Sequence, residues 1–395
     1  NLRSVTLKGS SKTDKIGWSK AAWDMLYLTA CGIHTQAPDP ARVLAMDLKK
    51  VYTLSRSQSL NALTYLAVEQ LTKREDRPEI PDPDRILPAW AESRNKAIRK
   101  IMLLDGARAQ LFAYLEEKGI WHLPLKGVIL TPLYPELGTR QMSDNDTLFD
   151  GAYRQEVREW FVDHGYTAES YGEGNHDEYH KAPVYNFEMH VALFNKTAQP
   201  QMAEYYQTLK ERLKLAPGKA YEYCMTDEDF YLYLLAHMYK HYSNNGTGLR
   251  SLLDVHVYNR AKDKLDRVYL DQELQKIGLL EFEEQMRLLA DKFFDPALKK
   301  TNLTEQEWEI LQEFLFNHTY GRIENSWRNT VRKTQPEGKP ITAGVKFRYI
   351  LRRLFPSRAH MEKWCELYSP FFHRHKWLMP AARVWRFFKA EKREV

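Results

Sequence analysis

The period of the hydrophobic pattern changes twice along this chain of 395 residues, and these changes constrain its fold more than any other feature. Apolar residues recur at three- and four-residue steps over residues 1–118, as they do in amphipathic helices. Between residues 119 and 225, short segments alternate polar and apolar residues, which is typical of half-buried strands. The helical pattern returns over residues 226–395. We therefore predict an α+β fold, with a small mixed sheet flanked by helical N- and C-terminal regions.

Several segments of the two outer regions have the helical pattern. Residues 47–72 form one of them, and a second runs from Pro88 to about residue 118. Pro88 suits the first turn of a helix, and Gly119 suits the position just after its last turn. The other predicted helices are residues 21–32, 229–242, 249–264, 271–294 and 305–316.

The middle region combines strands with a helix. Residues 121–129 form a short apolar run bounded by turns, and residues 144–149 and 187–193 alternate polar and apolar side chains. Asp150 is suited to cap a helix over residues 152–164. This order predicts a compact strand–helix–strand core.

Positive charge is concentrated at the C-terminal end. The net charge is +6, yet residues 341–395 hold 13 of the 58 basic residues and only 4 of the 52 acidic ones. Tryptophan and phenylalanine are interspersed among these basic residues. Such a segment binds nucleic acid or another anionic partner, lies on a membrane surface, or forms a core covered by basic side chains. The sequence leaves these alternatives open.

Compartment and oligomeric state have weaker signals. The three cysteines, Cys31, Cys224 and Cys365, do not have the spacing of a zinc site and are a poor basis for a disulfide framework. No apolar run reaches the roughly 18 residues of a membrane-spanning helix, and residues 1–20 lack the apolar stretch of a signal peptide. We expect a cytoplasmic protein without a transmembrane segment. No feature of the sequence indicates its oligomeric state.

Paired carboxylates occur on one of the predicted strands. Asp144 and Asp146 are two residues apart, so their side chains point to the same face of a strand. Two neighbouring carboxylates repel each other unless a cation neutralises them. Magnesium suits this position because it prefers carboxylate and phosphate oxygens. The sequence therefore predicts a divalent-ion site here.

A second alternating strand presents Glu188 and His190 on one face. If this strand lies beside the first, Glu188 completes a cluster of three carboxylates. Such a cluster suits two metal ions, of which one activates an acceptor hydroxyl and the other binds a triphosphate. We expect two Mg²⁺ ions, with Mn²⁺ as the alternative, and Asp144, Asp146 and Glu188 as catalytic metal ligands.

Basic residues near these carboxylates are candidates for binding the phosphates of a nucleotide. A glycine at a strand end allows backbone amides to approach phosphates, and an adjacent lysine or arginine neutralises them. On two predicted helices farther along the chain, a lysine and a histidine of the first and an arginine of the second are further candidates. The predicted nucleotide-binding residues are Lys126, Gly127, Arg140, Lys240, His241 and Arg250.

Histidines near the second strand are candidates for the acceptor side of the site. His176 and His180 precede this strand, and His190 lies on it. Histidine is suited to general-base catalysis because its ordinary pKa is near neutral pH. We predict that all three line the acceptor side.

These motifs, in this order, resemble those of a bacterial family of uncharacterised nucleotidyltransferases within the DNA polymerase beta superfamily. The resemblance rests on Leu125-Lys126-Gly127, Leu133-Tyr134-Pro135, Arg140, Asp144, Asp146, Glu188 and His190. It extends to Leu249-Arg250, Asp254, Phe355-Pro356-Ser357, Tyr368, Pro370, Leu378, Pro380 and Arg386. The resemblance implies a polymerase-beta-like core and metal-binding roles for the three carboxylates. One departure is Val128, because in the wider superfamily serine usually follows this glycine.

The predicted reaction transfers a nucleoside monophosphate from a nucleoside triphosphate to a hydroxyl of a small molecule, a protein or an RNA. One alternative is a glycosyltransferase, since these enzymes also use an Asp-x-Asp motif, although a helical region precedes the motif here. The other is a non-catalytic protein that binds nucleic acid or another anionic partner. For the metal-free protein, relief of carboxylate repulsion predicts that Asp146→Asn keeps or raises thermal stability.

Overall fold

The computed structural model describes residues 12–75, 79–80, 83–172, 174–244, 246–316, 374–378 and 380–382. Contacts within the chain divide it into two units, residues 1–321 and residues 322–395, and the helices and strands named below belong to the first. Most of the predicted basic aromatic segment at residues 341–395 lies outside the described residues. The division into three sequence regions stays a prediction.

The N-terminal region is helical, as predicted. Residues 47–72 are two helices rather than one, because the chain turns at Ser59, whose φ is 55°. Asp47 caps the first of the two, since its side chain accepts a hydrogen bond from the Lys50 amide. The helices are α1 (Lys12–Ile33), α2 (Pro40–Leu44), α3 (Leu48–Ser57) and α4 (Asn61–Thr72).

The long helix α5 (Pro83–Glu117) leads into the sheet. The prediction placed Pro88 in its first turn, but the helix begins five residues earlier, at another proline that suits this position, and Pro88 lies inside it. The predicted end is confirmed, since Gly119 follows the helix with a φ of 69°. The buried face of α5 includes Ile101, Leu104, Leu111 and Leu115.

The sheet has five strands in the order β1–β2–β5–β4–β3. It is mixed, because β2 and β5 are parallel and the other neighbouring pairs are antiparallel. The predicted strand at residues 121–129 is shorter than expected, since a helical turn begins at Gly127. The elements are β1 (His122–Pro124), α6 (Gly127–Leu130), β2 (Asn145–Phe149), α7 (Arg154–Asp163), β3 (Thr167–Ser170), β4 (His176–Lys181) and β5 (Tyr185–His190).

One face of the sheet is apolar and the other is polar. Tyr179, Phe187 and Met189 are fully buried and pack in one cluster with Leu111 of α5 and Phe161 of α7. Alternation along β4 and β5 therefore directs the histidines and glutamates to the opposite face. That polar face carries the predicted site.

The chain after the sheet is again mainly helical. The predicted helix at residues 271–294 is two helices, because Gly278 adopts a φ of 69° between them. The prediction for residues 305–316 is confirmed, and no described helix is both long and apolar enough to cross a membrane. The elements are α8 (Pro200–Tyr205), β6 (Lys214–Leu215), β7 (Tyr223–Cys224), α9 (Asp227–Asn244), α10 (Leu249–Ala261), α11 (Arg267–Lys276), α12 (Leu280–Phe293) and α13 (Glu305–Phe316).

Candidate active site

The parallel pairing of β2 with β5 places Asp146 directly opposite Glu188. His190 follows on the same face of β5, opposite Leu148. Ligand atoms of Asp146, Glu188 and His190 all lie within 4.8 Å of one another. The prediction that the two carboxylate strands are neighbours is therefore confirmed, and the group includes an imidazole.

Asp146 accepts from two basic side chains. Its Oδ1 lies 2.9 Å from Lys126 Nζ and 3.1 Å from His190 Nε2. Burial would raise the pKa of Asp146, but the Lys126 charge and the His190 hydrogen bond outweigh burial and lower it. Asp146 is thus a carboxylate that is held ionised by its neighbours.

Asp144 lies in a different environment. It immediately precedes β2, and its carboxylate does not belong to the group of mutually close ligand atoms found among the described residues. Burial and the Asp146 charge raise the pKa of Asp144 to about 7. Asp144 is therefore a carboxyl group whose ionised form is disfavoured by its surroundings.

Two effects act on the metal-free protein when Asp146 is removed. Relief of carboxylate repulsion predicts that its stability holds or rises. Loss of the contacts that Asp146 makes with Lys126 and His190 predicts the opposite result, because both side chains then lose one of their partners. The contacts favour this second outcome.

Lys126 reaches the carboxylates from the turn between β1 and α6. The Leu125 amide donates to the Asp146 carbonyl at 3.0 Å, which fixes this turn beside β2. Lys126 has a φ of 41° and a ψ of −99°, a conformation that costs a residue with a side chain about 1 to 3 kcal/mol and is typical of functional sites. Its Nζ also donates to His237 Nε2 of α9, at 3.1 Å.

Helix α9 contributes three basic side chains to the site. His237 contacts Lys126, and the Nε2 atoms of His237 and His241 are 3.1 Å apart. Burial and the Lys126 charge lower the pKa of His237, so it accepts from Lys126 as a neutral imidazole. The pKa of Lys240 is lowered by burial and by Lys126, while Glu188 and Asp146 oppose this shift. The predicted residues Lys240 and His241 thus lie near the carboxylates, and His237 is an addition to the predicted set.

Arg140 is buried, and its contacts are with protein side chains. Its Nε and Nη2 donate to the two carboxylate oxygens of Asp254 at 2.8 and 2.9 Å, and Tyr134 donates to the same carboxylate at 2.7 Å. Its Nη1 packs against Gly127, where an added Cβ atom would lie 3.1 Å from that nitrogen. These contacts favour a role for Arg140 in supporting the Lys126–Gly127 turn. Direct binding of a triphosphate by Arg140 stays a prediction.

Two further cations lie beside Asp144. Arg250 of α10 donates to the Gln141 carbonyl at 3.1 Å, and its charge acts to lower the pKa of Asp144. Lys100 of α5 interacts electrostatically with both Asp144 and Arg250, and burial lowers its pKa. Lys100 is an addition to the predicted set. It lies one helical turn before Leu104, whose carbonyl accepts a hydrogen bond from the Asn145 side chain and so joins α5 to β2.

The predicted acceptor-side histidines lie on the polar face of the sheet. On β4, His176 pairs with His190 and Glu178 pairs with Glu188. The ring centroids of His176 and His190 are 5.0 Å apart, and His180 follows on the same face. Asp177 points to the opposite face, where it forms a bidentate ion pair with Arg154. Glu178 is an addition to the residues predicted for this face. The pattern His176-x-Glu178-x-His180 has the two-residue period of a strand and could have indicated it.

An α+β fold with carboxylates on adjacent strands of a small mixed sheet is consistent with a nucleotidyltransferase. The profile of the family described as "Uncharacterised nucleotidyltransferase" matches residues 45–295, which is more than half of the chain. The chain therefore belongs to this family. Searches of curated proteins and of solved structures gave no match. The matched residues include the sheet, α9 and α10, but not the C-terminal motifs beyond residue 350.

Proposed function

We propose that this protein transfers a nucleoside monophosphate from a nucleoside triphosphate to a hydroxyl group, in a reaction that requires a divalent metal ion. The observation that carries the proposal is the direct pairing of Asp146 with Glu188 on adjacent parallel strands, with Lys126 at 2.9 Å from Asp146. A carboxylate pair with an adjacent cation suits a ligand that combines a metal ion with phosphate oxygens.

The side chains present fit a magnesium or manganese ion. Asp146 Oδ1 and Glu188 Oε2 supply oxygen ligands within one group, and Asp144 is near enough for its charge to act on both. His190 Nε2 hydrogen-bonds to Asp146 Oδ1 and so helps to orient this carboxylate. When bound, the ions lower the pKa of the acceptor hydroxyl and neutralise the triphosphate.

The basic residues around the carboxylates bind and orient the triphosphate. Lys126 Nζ is shared between Asp146 and His237. With a metal ion at Asp146, Lys126 would be available to neutralise a phosphate of the triphosphate. Arg250 and Lys100 approach from the Asp144 side, and Lys240 approaches from α9. These cations hold the α-phosphorus in line with the acceptor.

The acceptor occupies the polar face over β4 and β5. Its hydroxyl oxygen forms a bond to the α-phosphorus, the bond from that phosphorus to the bridging oxygen breaks, and pyrophosphate leaves. The hydroxyl proton passes to an imidazole on this face, with His176 as the candidate because it pairs with His190 in the sheet.

The test is incubation of the protein with each α-labelled nucleoside triphosphate, Mg²⁺ and a cell extract. We expect one component of the extract to become labelled, and we expect Glu188→Gln to abolish the label. Nucleotide-sugars with Mn²⁺ form the comparison set. Labelling by a nucleotide-sugar instead of a triphosphate would overturn the proposal, as would labelling that persists in Glu188→Gln.

A further inference from the structure

A second group of metal-ligand side chains lies on the same face of the sheet, nearer its edge. Ligand atoms of Glu169, Glu178 and His180 all lie within 4.8 Å of one another. None of these residues belongs to the Asp146–Glu188–His190 group. We propose that Glu169, Glu178 and His180 bind a transition-metal ion of the zinc type, separate from the ions of the carboxylate site.

The spacing of the donor atoms suits such an ion. His180 Nε2 lies 3.5 Å from Glu169 Oε2 and 3.9 Å from Glu178 Oε2. Zinc bonds to imidazole nitrogen and carboxylate oxygen are about 2.0 to 2.1 Å long, which separates the ligands of a tetrahedral site by about 3.3 Å. These two separations reach this value with shifts of less than about 1 Å. The two carboxylates lie within 4.8 Å of each other.

The strands hold these donors on one face. Glu178 and His180 are two residues apart on β4, so they share a face. Thr167 of β3 pairs with His180, and Ser170 pairs with Glu178. Four residues of β3 therefore lie opposite three residues of β4, which is the register of a β-bulge. The extra residue allows Glu169 to lean toward His180. Bulges commonly redirect a side chain at a functional site.

The chemistry of the donors favours a transition metal over magnesium. An imidazole nitrogen with two carboxylates suits zinc, manganese or cobalt, whereas magnesium prefers oxygen ligands alone. His176 Nε2 lies 3.3 Å from the other carboxylate oxygen of Glu178. It therefore fixes the orientation of Glu178 in the manner of residues that support metal ligands.

The site has an open side. The side chains of Glu169, Glu178 and His180 are 37%, 36% and 34% exposed. Three protein ligands leave a fourth tetrahedral position for water or for a group of a bound molecule. Glu178 of β4 pairs with Glu188 of the adjacent strand β5. An ion bound here therefore lies on the polar face of the sheet, where we place the acceptor.

The experiment titrates the full chain with Co²⁺, whose visible absorption reports tetrahedral ligation, in the absence of nucleotide. With excess Mg²⁺ present to occupy the carboxylate site, we expect one Co²⁺ per chain with the absorption of tetrahedral ligation, and displacement of this Co²⁺ by Zn²⁺. Glu169→Gln and His180→Gln should each weaken this binding at least about tenfold, since even supporting residues of metal sites have effects of that size. Glu284→Gln, at an exposed glutamate of α12, is the matched control and should bind Co²⁺ as the wild type does.

Two further arms separate this site from the carboxylate site. Asp146→Asn should retain the Co²⁺ absorption, and so should the wild type in excess Mg²⁺. Circular dichroism of each variant checks that it is folded. The proposal is overturned if the wild type gives no tetrahedral Co²⁺ absorption, or if both Glu169→Gln and His180→Gln retain it. Loss of the absorption in Asp146→Asn or in excess Mg²⁺ would assign the ion to the carboxylate site and would equally overturn it.

Discussion

Lys126 Nζ lies 2.9 Å from Asp146 Oδ1, and the two residues form an ion pair in which Asp146 is nearly inaccessible to solvent. Removing one partner of such a pair leaves an uncompensated charge, which costs more than the pair itself contributes. We therefore expect Asp146→Asn to lower the free energy of unfolding of the metal-free protein by about 3 kcal/mol.

Urea unfolding without metal measures this loss, and a double-mutant cycle identifies its cause. Lys126→Met alone should also destabilise the protein, whereas adding it to Asp146→Asn should cost less than it does in the wild type. Additive effects, or a gain of stability in Asp146→Asn, would show that the ion pair does not stabilise the fold.

Asp144 should behave in the opposite way to Asp146. Its pKa of about 7 in the folded protein is far above the ordinary value of 3.8, so the folded chain holds a proton that the unfolded chain releases. The stability that the protonated Asp144 carboxyl contributes is fully present below its ordinary pKa of 3.8, and it is lost as the pH rises to about 7. Asp144→Asn should therefore be more stable than the wild type above about pH 7 and nearly equal to it at about pH 4.

Urea unfolding of the two proteins across this range tests the prediction. The difference should reach at least about 1.4 kcal/mol, which corresponds to one pKa unit. A difference that is constant with pH would mean that Asp144 does not titrate in this range. Because protons compete with cations for the same carboxylate, Mg²⁺ should also bind the wild type more tightly as the pH rises through about 7.

Arg140 should affect stability more than nucleotide affinity. Its bidentate contact with Asp254 is buried, and lysine cannot reproduce both hydrogen bonds. We expect Arg140→Lys to lower the free energy of unfolding by about 2 to 3 kcal/mol, and Asp254→Asn to have a similar effect. Arg56→Lys, at an exposed arginine of α3, is the control.

Measurement of triphosphate affinity distinguishes this supporting role from the direct contact predicted from sequence. The supporting role predicts that folded Arg140→Lys binds the triphosphate within a few-fold of the wild type. A large loss of affinity with unchanged stability would instead establish Arg140 as a phosphate ligand.

Lys126 should contribute directly to triphosphate binding. Charge-assisted hydrogen bonds to phosphate are among the stronger polar contacts, so Lys126→Met should weaken Mg²⁺–triphosphate binding by about tenfold or more. Its binding should also depend less on ionic strength. Equilibrium dialysis measures both quantities, with Lys49→Met, at an exposed lysine of α3, as the control. Equal affinities in wild type and Lys126→Met would remove Lys126 from the nucleotide site.

The parts of the fold that follow from local pattern could be predicted from the sequence. Helix α13 lies where the sequence predicted it, and the strand with Glu188 and His190 has the expected faces. Strand β4 was missed because its exposed positions are histidine and glutamate, which do not have the composition of a typical strand. Only the buried Asp177 and Tyr179 on its other face reveal the alternation.

The parts of the site that depend on distant pairing could not be predicted. Arg140 and Asp254 are 114 residues apart, and Lys126 and His237 are 111 residues apart. Residues four apart on a helix are neighbours, so helical spacing alone would pair Asp254 with Arg250, whereas in the structure Asp254 binds Arg140. Both side chains of this pair are buried, where each charge needs an opposite charge beside it.

The central claim is that Asp146 and Glu188 direct nucleotidyl transfer, and the position of a phosphorus label tests it most directly. The wild type, Mg²⁺ and cell extract are incubated with a triphosphate labelled at the α- or the γ-phosphorus. We expect the α-label to pass to an acceptor, the γ-label to leave in pyrophosphate, and neither label to move to an acceptor in Glu188→Gln. Transfer of the γ-label to an acceptor, or transfer of the α-label by Glu188→Gln, would contradict it.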